Sequence, residues 1–176
     1  MFKGDDSGGS STGKKMPLVF VKARSEHIPD IVRLNGVVQQ LHAELSPDIF
    51  RADWVSSDLQ VFWCDRLDHE NSEIVIAILD GRSVGYIWFE IQNREGDALH
   101  MHRCRVYVHH IAVDECTRGA GVGSRLLERA ELAAKEARIC NVVLDAWASN
   151  SPAQSFFAAK GYSPINIVLG KPITES

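Results

Sequence analysis

Cysteine is scarce in this 176-residue chain, which has four, and no two of them form a C-x-x-C pair. Zinc sites and the disulfide frameworks of small secreted proteins depend on clustered cysteines, so neither is predicted and no metal site is expected. No stretch approaches the roughly 20 apolar residues that span a bilayer, and the N-terminus lacks the apolar core of a secretion signal. We therefore expect a cytoplasmic protein without a membrane partner.

An excess of positive charge is also missing, because the formal net charge is −4 at pH 7. Nucleic acids require a cationic surface, so no nucleic-acid partner is expected. Hydrophobic residues make up 45% and charged residues 24% of the chain, which is ordinary for one globular domain of this length. Residues 1–15 are polar and rich in glycine and serine, so we expect a flexible N-terminal extension or leader before a single domain of residues 16–176.

Hydrophobic periodicity predicts six strands and four helices. Their order is strand, two helices, three strands, helix, strand, helix, strand. The strands are predicted at residues 19–23, 73–79, 83–92, 99–113, 141–147 and 165–169, and the helices at 28–41, 57–67, 126–138 and 153–160. Asp80-Gly81, between the second and third strands, is a strong hairpin signal.

A glycine-rich turn from Arg118 to Ser124 separates a predicted strand from a predicted helix. Glycines allow a tight turn and bring bare backbone amides close to a ligand. The start of a helix adds unpaired N–H groups and the positive end of its dipole. The turn therefore predicts a site for a phosphate or a diphosphate.

Several nucleotide-binding patterns do not match this turn. In a dinucleotide fingerprint, G-x-G-x-x-G, the sixth position counted from Gly119 is Ser124, and counted from Gly121 it is Leu126. A P-loop needs lysine after the glycines, and Arg125 follows Ser124 instead. A methyltransferase would need more parallel crossovers than the predicted order of elements supplies. These observations disfavour all three classes.

Arg118, Gly121 and Gly123 match the pattern [Arg/Gln]-x-x-Gly-x-[Gly/Ala], and the chain resembles the GCN5-related N-acetyltransferase (GNAT) superfamily. Asn150 to Tyr162 resembles that family's second segment, an Asn followed by a helix that ends in Gly and an aromatic residue. The resemblance implies an α+β fold of the acyl-CoA N-acyltransferase type. Its mixed, mostly antiparallel sheet has about six to seven strands and about four flanking helices, and two strands splay apart around the cofactor.

The same resemblance implies that acetyl-CoA is the cofactor. Backbone amides of the glycine turn would hold its pyrophosphate, and the preceding strand would bind the pantetheine arm through main-chain groups. In the second segment, Asn150 would lie near the pantetheine and Phe157 beside the thioester. The residues so assigned are Ile111, Ala112, Val113, Arg118, Gly119, Ala120, Gly121, Val122, Gly123, Ser124, Asn150 and Phe157.

Acetyl transfer needs a base, because an attacking ammonium must lose a proton. Side chains alternate along a strand, so Tyr107 and His109 are predicted on one side and His110 on the other. Some family members carry a base at this register, and we therefore predict His109 as the general base, with His110 and Glu90 in reserve. Many relatives place a tyrosine acid where this chain has Phe157, which has no proton to donate.

The family builds its acceptor site from the first two helices and their connection. Here that connection contains acidic residues that would attract a cationic amine and aromatic residues that would wall a pocket. We assign this role to Glu44, Asp48, Phe50 and Trp54, with Asp53 beside them. The acceptor would be a primary amine of a small molecule or a protein, which attacks the thioester directly. The alternative is a catalytically silent acyl-CoA-binding or regulatory module, and homodimers are common in the family.

Overall fold

The computed structural model describes residues 17–173, so the extension predicted at residues 1–15 lies outside the described residues. Within this range the chain forms five strands and four α-helices. The strands are β1 (Val19–Lys22), β2 (Ser72–Leu79), β3 (Arg82–Arg94), β4 (Arg103–Val113) and β5 (Val142–Leu144). The helices are α1 (Ile28–Leu45), α2 (Ser56–Leu67), α3 (Val122–Glu136) and α4 (Ser151–Ala159).

The strands form one mixed sheet in the order β1-β2-β3-β4-β5. All neighbouring strands are antiparallel except β4 and β5, which are parallel. The β2–β3 connection is the predicted Asp80-Gly81 turn, with φ angles of 51° and 76° as a two-residue hairpin of this type requires. The α+β class with a mixed, mostly antiparallel sheet is confirmed.

The expected strand count of six to seven is wrong for the described residues, because their sheet has five strands. The strand predicted at residues 165–169 is absent: Ile165 is 78% and Val168 is 90% exposed, and no described strand pairs with them. Branched apolar residues favour an extended backbone, but a strand also needs a neighbour whose edge it can join. The strand predicted from the apolar pattern of this segment is therefore wrong.

The two edges of β4 have different neighbours. On one side, β4 pairs with β3 from Arg103 to Val113. On the other side, only Val106–Val108 pair with β5, which is much shorter than the predicted strand 141–147. The second edge of β4 from His109 to Val113 thus has no strand partner among the described residues. This is the splay that the family resemblance implies.

The sheet separates two hydrophobic clusters. On one face α3 packs through Leu126 and Leu127, which are 0% and 1% exposed, and Phe157 of α4 joins this cluster. On the other face α1 and α2 bury Ile31 and Trp63 against the sheet. The α1/α2 face also carries most of the polar side chains discussed below, whereas the α3 face is almost wholly apolar.

A β-bulge in β4 changes which face two histidines occupy. Trp88 pairs with His110 and Phe89 pairs with Val108, so His109 has no opposing residue on β3. Val108 and Ile111 both pack on the α3 face, which leaves both intervening histidines on the α1/α2 face. The prediction that His109 and His110 face opposite sides is therefore wrong, because a bulge interrupts the alternation of side chains.

The packing of α3 predicts a clear difference between two leucines of that helix. Leu126→Ala should lower the free energy of unfolding by about 2–5 kcal/mol, because Leu126 is fully buried and the mutation leaves a cavity. Leu132→Ala on the same helix, at 44% exposure, is the matched control and should cost less than about 1 kcal/mol. Urea unfolding of both variants measures the difference, and equal losses would contradict this account of the core.

Candidate active site

The glycine turn leads from the end of β4 into α3. Gly119 and Gly121 have φ angles of 79° and 80°, in the left-handed region that favours glycine. A Cβ atom added at either position meets no atom within 4 Å, so open space surrounds both. Gly121 is the N-cap of α3, and the first turn of that helix starts from this left-handed residue. The sequence-based placement of this turn between a strand and a helix is confirmed.

Several backbone amides of the turn lack a partner. The N–H groups of Arg118 and Ala120 donate to Glu115 and Thr117. By contrast, five amides donate to no acceptor among the described residues, namely those of Gly119, Gly121, Val122, Gly123 and Ser124. Unpaired amides at a helix start, together with the helix dipole, form a site suited to an anion such as a diphosphate.

A carboxylate at the end of β4 anchors the turn. The Asp114 side chain accepts a hydrogen bond from the backbone N–H of Cys116 at 3.1 Å. It also lies 3.2 Å from Arg33 of α1 and 3.3 Å from Arg82 of β3. The Cys116 amide and the two guanidinium groups lower the pKa of Asp114. Three separate elements thus fix the point where the chain leaves the sheet and enters the turn.

The second segment of the family resemblance reaches the same turn through α4. A Cβ atom added at Gly123 would lie 3.3 Å from the Phe156 ring, so this ring covers the first turn of α3. The neighbouring Phe157 is only 9% exposed and packs in the core on the α3 face. Asn150 caps α4, because its side chain accepts a hydrogen bond from the Ala153 amide at 3.2 Å. The cofactor contacts assigned to Asn150 and Phe157 stay predictions.

His109 lies at the bulge, where β4 and β5 part. Its ring stacks on Trp88, with the centroids 4.1 Å apart and the planes 16° from parallel. Its Nε2 atom is 2.9 Å from the Glu90 carboxylate, yet their alignment is not that of a hydrogen bond. The imidazole is therefore held in place by stacking, with a carboxylate beside a ring nitrogen that has no hydrogen-bond partner among the described residues.

Tyr107 and Asp145 lie beside His109 at the parting of the strands. The Tyr107 hydroxyl donates a short hydrogen bond to the carboxylate of Asp145, which follows the end of β5. Burial and this carboxylate raise the pKa of Tyr107 to about 12, so the phenol is neutral at pH 7. The Tyr107 and His109 rings meet edge to face at 4.7 Å. Two carboxylates, a phenol and an imidazole thus share one cleft.

His110 belongs to a buried hydrogen-bonded network. Its Nδ1 atom is 2.7 Å from the Tyr86 hydroxyl, and its Nε2 atom is 3.3 Å from the Asn35 amide nitrogen. Burial, with a smaller contribution from the nearby His42, lowers the pKa of His110 to about 4. Both ring nitrogens are already engaged, so the structure gives His110 a role in holding α1 against the sheet. Its reserve role as a base stays a prediction.

Aromatic residues from two distant segments meet near His110, whose ring lies 6.4 Å from that of His42. The Phe50 ring lies 4.7 Å from His42 of α1 and 5.0 Å from Trp147, which follows β5. The hydroxyls of Ser46 and Ser149 are 3.3 Å apart in the same region. Phe50, predicted to wall the acceptor pocket, thus packs against His42 and Trp147 and forms no ring contact or hydrogen bond with His109, so its acceptor role stays a prediction. Sequence reasoning assigned no role to His42 or Trp147, since nothing local indicates that the segments around them touch.

The other residues predicted for the acceptor site have separate surroundings. The Trp54 ring covers Gly36 of α1, where an added Cβ would lie 2.8 Å from the indole. Glu44 accepts a hydrogen bond from Gln40 at 3.0 Å, and the exposed Asp53 pairs with Arg51 at 3.0 Å. Asp48 is exposed in the connection that follows α1. None of these four forms a hydrogen bond, an ion pair or a ring contact with His109, and their acceptor roles stay predictions.

The lowered pKa of His110 predicts an acid-dependent loss of stability. Between about pH 6.5, where an unfolded histidine titrates, and about pH 4, the unfolded chain binds one proton that the folded chain does not. This contribution to the free energy of unfolding is complete above that window and falls as the pH drops through it. Urea unfolding at about pH 7 and pH 4.5 should therefore show a smaller acid-induced loss for His110→Gln than for the unmodified protein.

His69→Gln is the control for this measurement, because His69 is exposed and contacts only a neighbouring carbonyl. Its acid-induced loss should equal that of the unmodified protein. An equal loss in His110→Gln would show that His110 does not contribute to the pH dependence.

Comparison with known proteins agrees with this geometry. A model of the acetyltransferase (GNAT) family matches residues 38–162, which is more than half of the chain. A search of curated proteins gives no significant match. No described helix is both long and apolar enough to span a membrane.

Three solved structures share the fold at low sequence identity. A mutant of the BH1408 protein from Bacillus halodurans is 21% identical, with a TM-score of 0.81 over 89% of this chain and 99% of that one. The aminoglycoside N-acetyltransferase AAC(6')-Iy in complex with CoA is 16% identical, with a TM-score of 0.67 over 89% and 95% of the two chains. A predicted acetyltransferase with acetyl-CoA from Clostridium acetobutylicum is 16% identical, with a TM-score of 0.66 over 89% and 96%. The chain thus belongs to the GNAT acetyltransferase family.

Proposed function

We propose that this protein is an N-acetyltransferase that moves the acetyl group of acetyl-CoA to a primary amine. The proposal rests on two neighbouring sets of main-chain groups that have no partner among the described residues. One is the cluster of five unpaired amides at the start of α3, and the other is the open edge of β4 from His109 to Val113. An elongated ligand with an anionic end fits a path along both.

The described residues fit acetyl-CoA in this orientation. The amides from Gly119 to Ser124 would bind the pyrophosphate, and Arg118 lies at the entrance to that turn. Main-chain groups of Ile111, Ala112 and Val113 would bind the pantetheine arm as a further strand would, because that edge of β4 has no strand partner. Structures of two family neighbours contain CoA or acetyl-CoA, which supports this choice of cofactor.

His109 is the residue we assign as the general base. Bound acetyl-CoA supplies an activated acyl group, and the amine nitrogen forms a bond to its carbonyl carbon while the carbon–sulfur bond breaks. His109 would take the proton that the amine loses, and Glu90 would stabilise the imidazolium that results. The leaving sulfur takes up a proton from water, since Phe157 has none to donate. His109 is favoured over His110 because no described residue hydrogen-bonds to its ring, whereas both ring nitrogens of His110 have partners. The Nε2 atom of His109 is buried beside Glu90, so Nδ1 would take the proton.

The acceptor would reach His109 from the α1/α2 face, and Phe50 would contribute to the wall of its pocket. We propose a primary amine of a small molecule or a protein as acceptor, and one fold neighbour is an N-acetyltransferase of aminoglycosides. A cytoplasmic location remains part of the proposal, and the four cysteines are free thiols in the structure. A homodimer is a further part of the proposal that the family resemblance suggests.

The glycine turn predicts a specific loss of cofactor affinity. Gly121→Val should raise the Kd for acetyl-CoA by more than about tenfold, because a β-branched residue disfavours the left-handed backbone and crowds the amides. Gly161→Val is the matched control, since Gly161 has φ of 87° and open space but lies at the end of α4. Isothermal titration with acetyl-CoA tests both, and unchanged affinity in Gly121→Val would remove the turn from the cofactor site.

The assignment of His109 predicts a loss of turnover without a loss of binding. His109→Ala should lower kcat by about a hundredfold, the lower end of what a general base contributes, while the Kd for acetyl-CoA stays within about twofold. Thiol release from acetyl-CoA with a panel of amines gives the rate. His69→Ala, an exposed histidine, is the control.

The same assay separates the two function classes. Unchanged kcat in His109→Ala would remove His109 from the mechanism. Tight acetyl-CoA binding by the unmodified protein, with no thiol release for any amine, would instead establish the silent acyl-CoA-binding module.

A further inference from the structure

Three arginines share one face at the end of the β3–β4 hairpin. Arg94 and Arg103 are direct cross-strand partners, and Arg105 pairs with Gln92 two residues further along. The side chains of direct cross-strand partners project from the same face of a sheet. Along one strand, the side chains of every second residue also share a face. All three arginines are therefore on the α1/α2 face, in line with Tyr107 and the cleft described above.

No carboxylate forms a salt bridge with this arginine cluster within the described part of the chain. The guanidinium groups of Arg94 and Arg103 have no ion pair or hydrogen bond to a described residue, and Arg105 donates to the neutral Gln92 side chain at 3.0 Å. Like charges directly opposite one another destabilise a strand pair. Burial, followed by the charges of Arg94 and Arg103, lowers the pKa of Arg105, and Tyr107 and Asp145 oppose this shift. A protein with a net charge of −4 thus places three cations without a salt bridge to a described residue side by side, an arrangement suited to an anion.

The arginine cluster lies at the opposite end of β4 from the glycine turn. From Arg105 to Val113 the strand advances by about 26 Å, at about 3.3 Å per residue. The cofactor's pyrophosphate, bound at the turn that follows Val113, is therefore too distant to be the anion in question. The ligand must enter from the acceptor side.

Arg105 connects the cluster to the reacting centre. Its guanidinium lies over the Tyr107 ring at 4.9 Å from the centroid, and that ring meets His109 edge to face. One tyrosine ring thus separates a cation from the assigned base. The Glu90 carboxylate lies beside His109, and the Asp145 carboxylate accepts from the Tyr107 hydroxyl and also acts on Arg105. A carboxylate thus lies at the assigned base, and a cation lies one side chain further along.

We propose that the acceptor is a short zwitterion, a primary amine that also carries a carboxylate or a phosphate group. The amine lies at His109 near Glu90, and the anionic group binds Arg105, with Arg94 and Arg103 increasing the local positive potential. This inference rests on the proposed acetyltransferase function, and it identifies the substrate class for that same site.

Matched acceptor pairs test the proposal on the whole 176-residue chain with acetyl-CoA. β-Alanine and γ-aminobutyrate are compared with their amides, and aminoethyl phosphate with ethanolamine, by thiol release. The charged member of at least one pair should have a kcat/KM about tenfold or more above its neutral partner, as expected for one charge-assisted contact. The carboxylate and phosphate pairs show which anion the site prefers. The preference should weaken as salt increases.

Arginine variants locate the effect. Arg105→Gln should reduce the preference to less than about threefold, chiefly by raising KM for the charged acceptor. The Arg94→Gln, Arg103→Gln double variant should lower the preference less. Arg129→Gln is the control, because this α3 residue packs over Phe20 on the other face of the sheet. Thermal unfolding confirms that each variant is folded.

The outcomes separate this inference from the proposed function. Equal kcat/KM within every pair, or a preference that survives Arg105→Gln, overturns the zwitterionic acceptor and leaves the acetyltransferase in place. Absence of thiol release with every amine overturns the acetyltransferase itself, and the acceptor inference with it.

Discussion

The site depends on one asymmetry of β4. Hydrogen bonds hold this eleven-residue strand to β3 throughout, but β5 covers its other edge for only three residues. Main-chain N–H and C=O groups need partners, so an uncovered edge inside a fold is a place where a ligand can complete the sheet. The unpaired amides of the glycine turn follow directly after that edge. The same interruption of the sheet thus prepares two consecutive parts of an extended ligand site.

The two faces of the sheet differ in role. The α3 face forms an apolar core, and the α1/α2 face carries the polar side chains assigned to chemistry. On the α3 face, fully buried side chains such as Leu126 and Val106 form an apolar core. The α1/α2 face is also packed around Trp63, but there polar side chains are inserted among the aromatic residues, as in the Asn35–Tyr86–His110 network. The bulge adds His109 to this polar face. Trp88 then serves both purposes, because it packs against Trp63 and stacks on His109.

Features with a local cause were predictable from the sequence. The Asp80-Gly81 hairpin and the glycine turn each have positive φ angles that their residues favour, and both lie where the sequence indicated. Features that depend on distant partners were not. The bulge is a property of two strands in register, and residues 165–169 have the composition of a strand without an edge to join. His42 and Trp147 acquire their position only when the end of α1 meets the segment after β5.

The bulge at His109 has a consequence for how this chain can vary. Each residue of a strand faces the side opposite to its neighbours, so the addition or loss of one residue between Val108 and Ile111 would turn every following side chain to the other face. A substitution in this stretch alters one contact, whereas a change of length would bring Ala112 out of the α1/α2 cluster and Val113 out of the α3 cluster together. The number of residues in β4 therefore controls the position of its whole second half, whereas the identity of one residue controls a single contact.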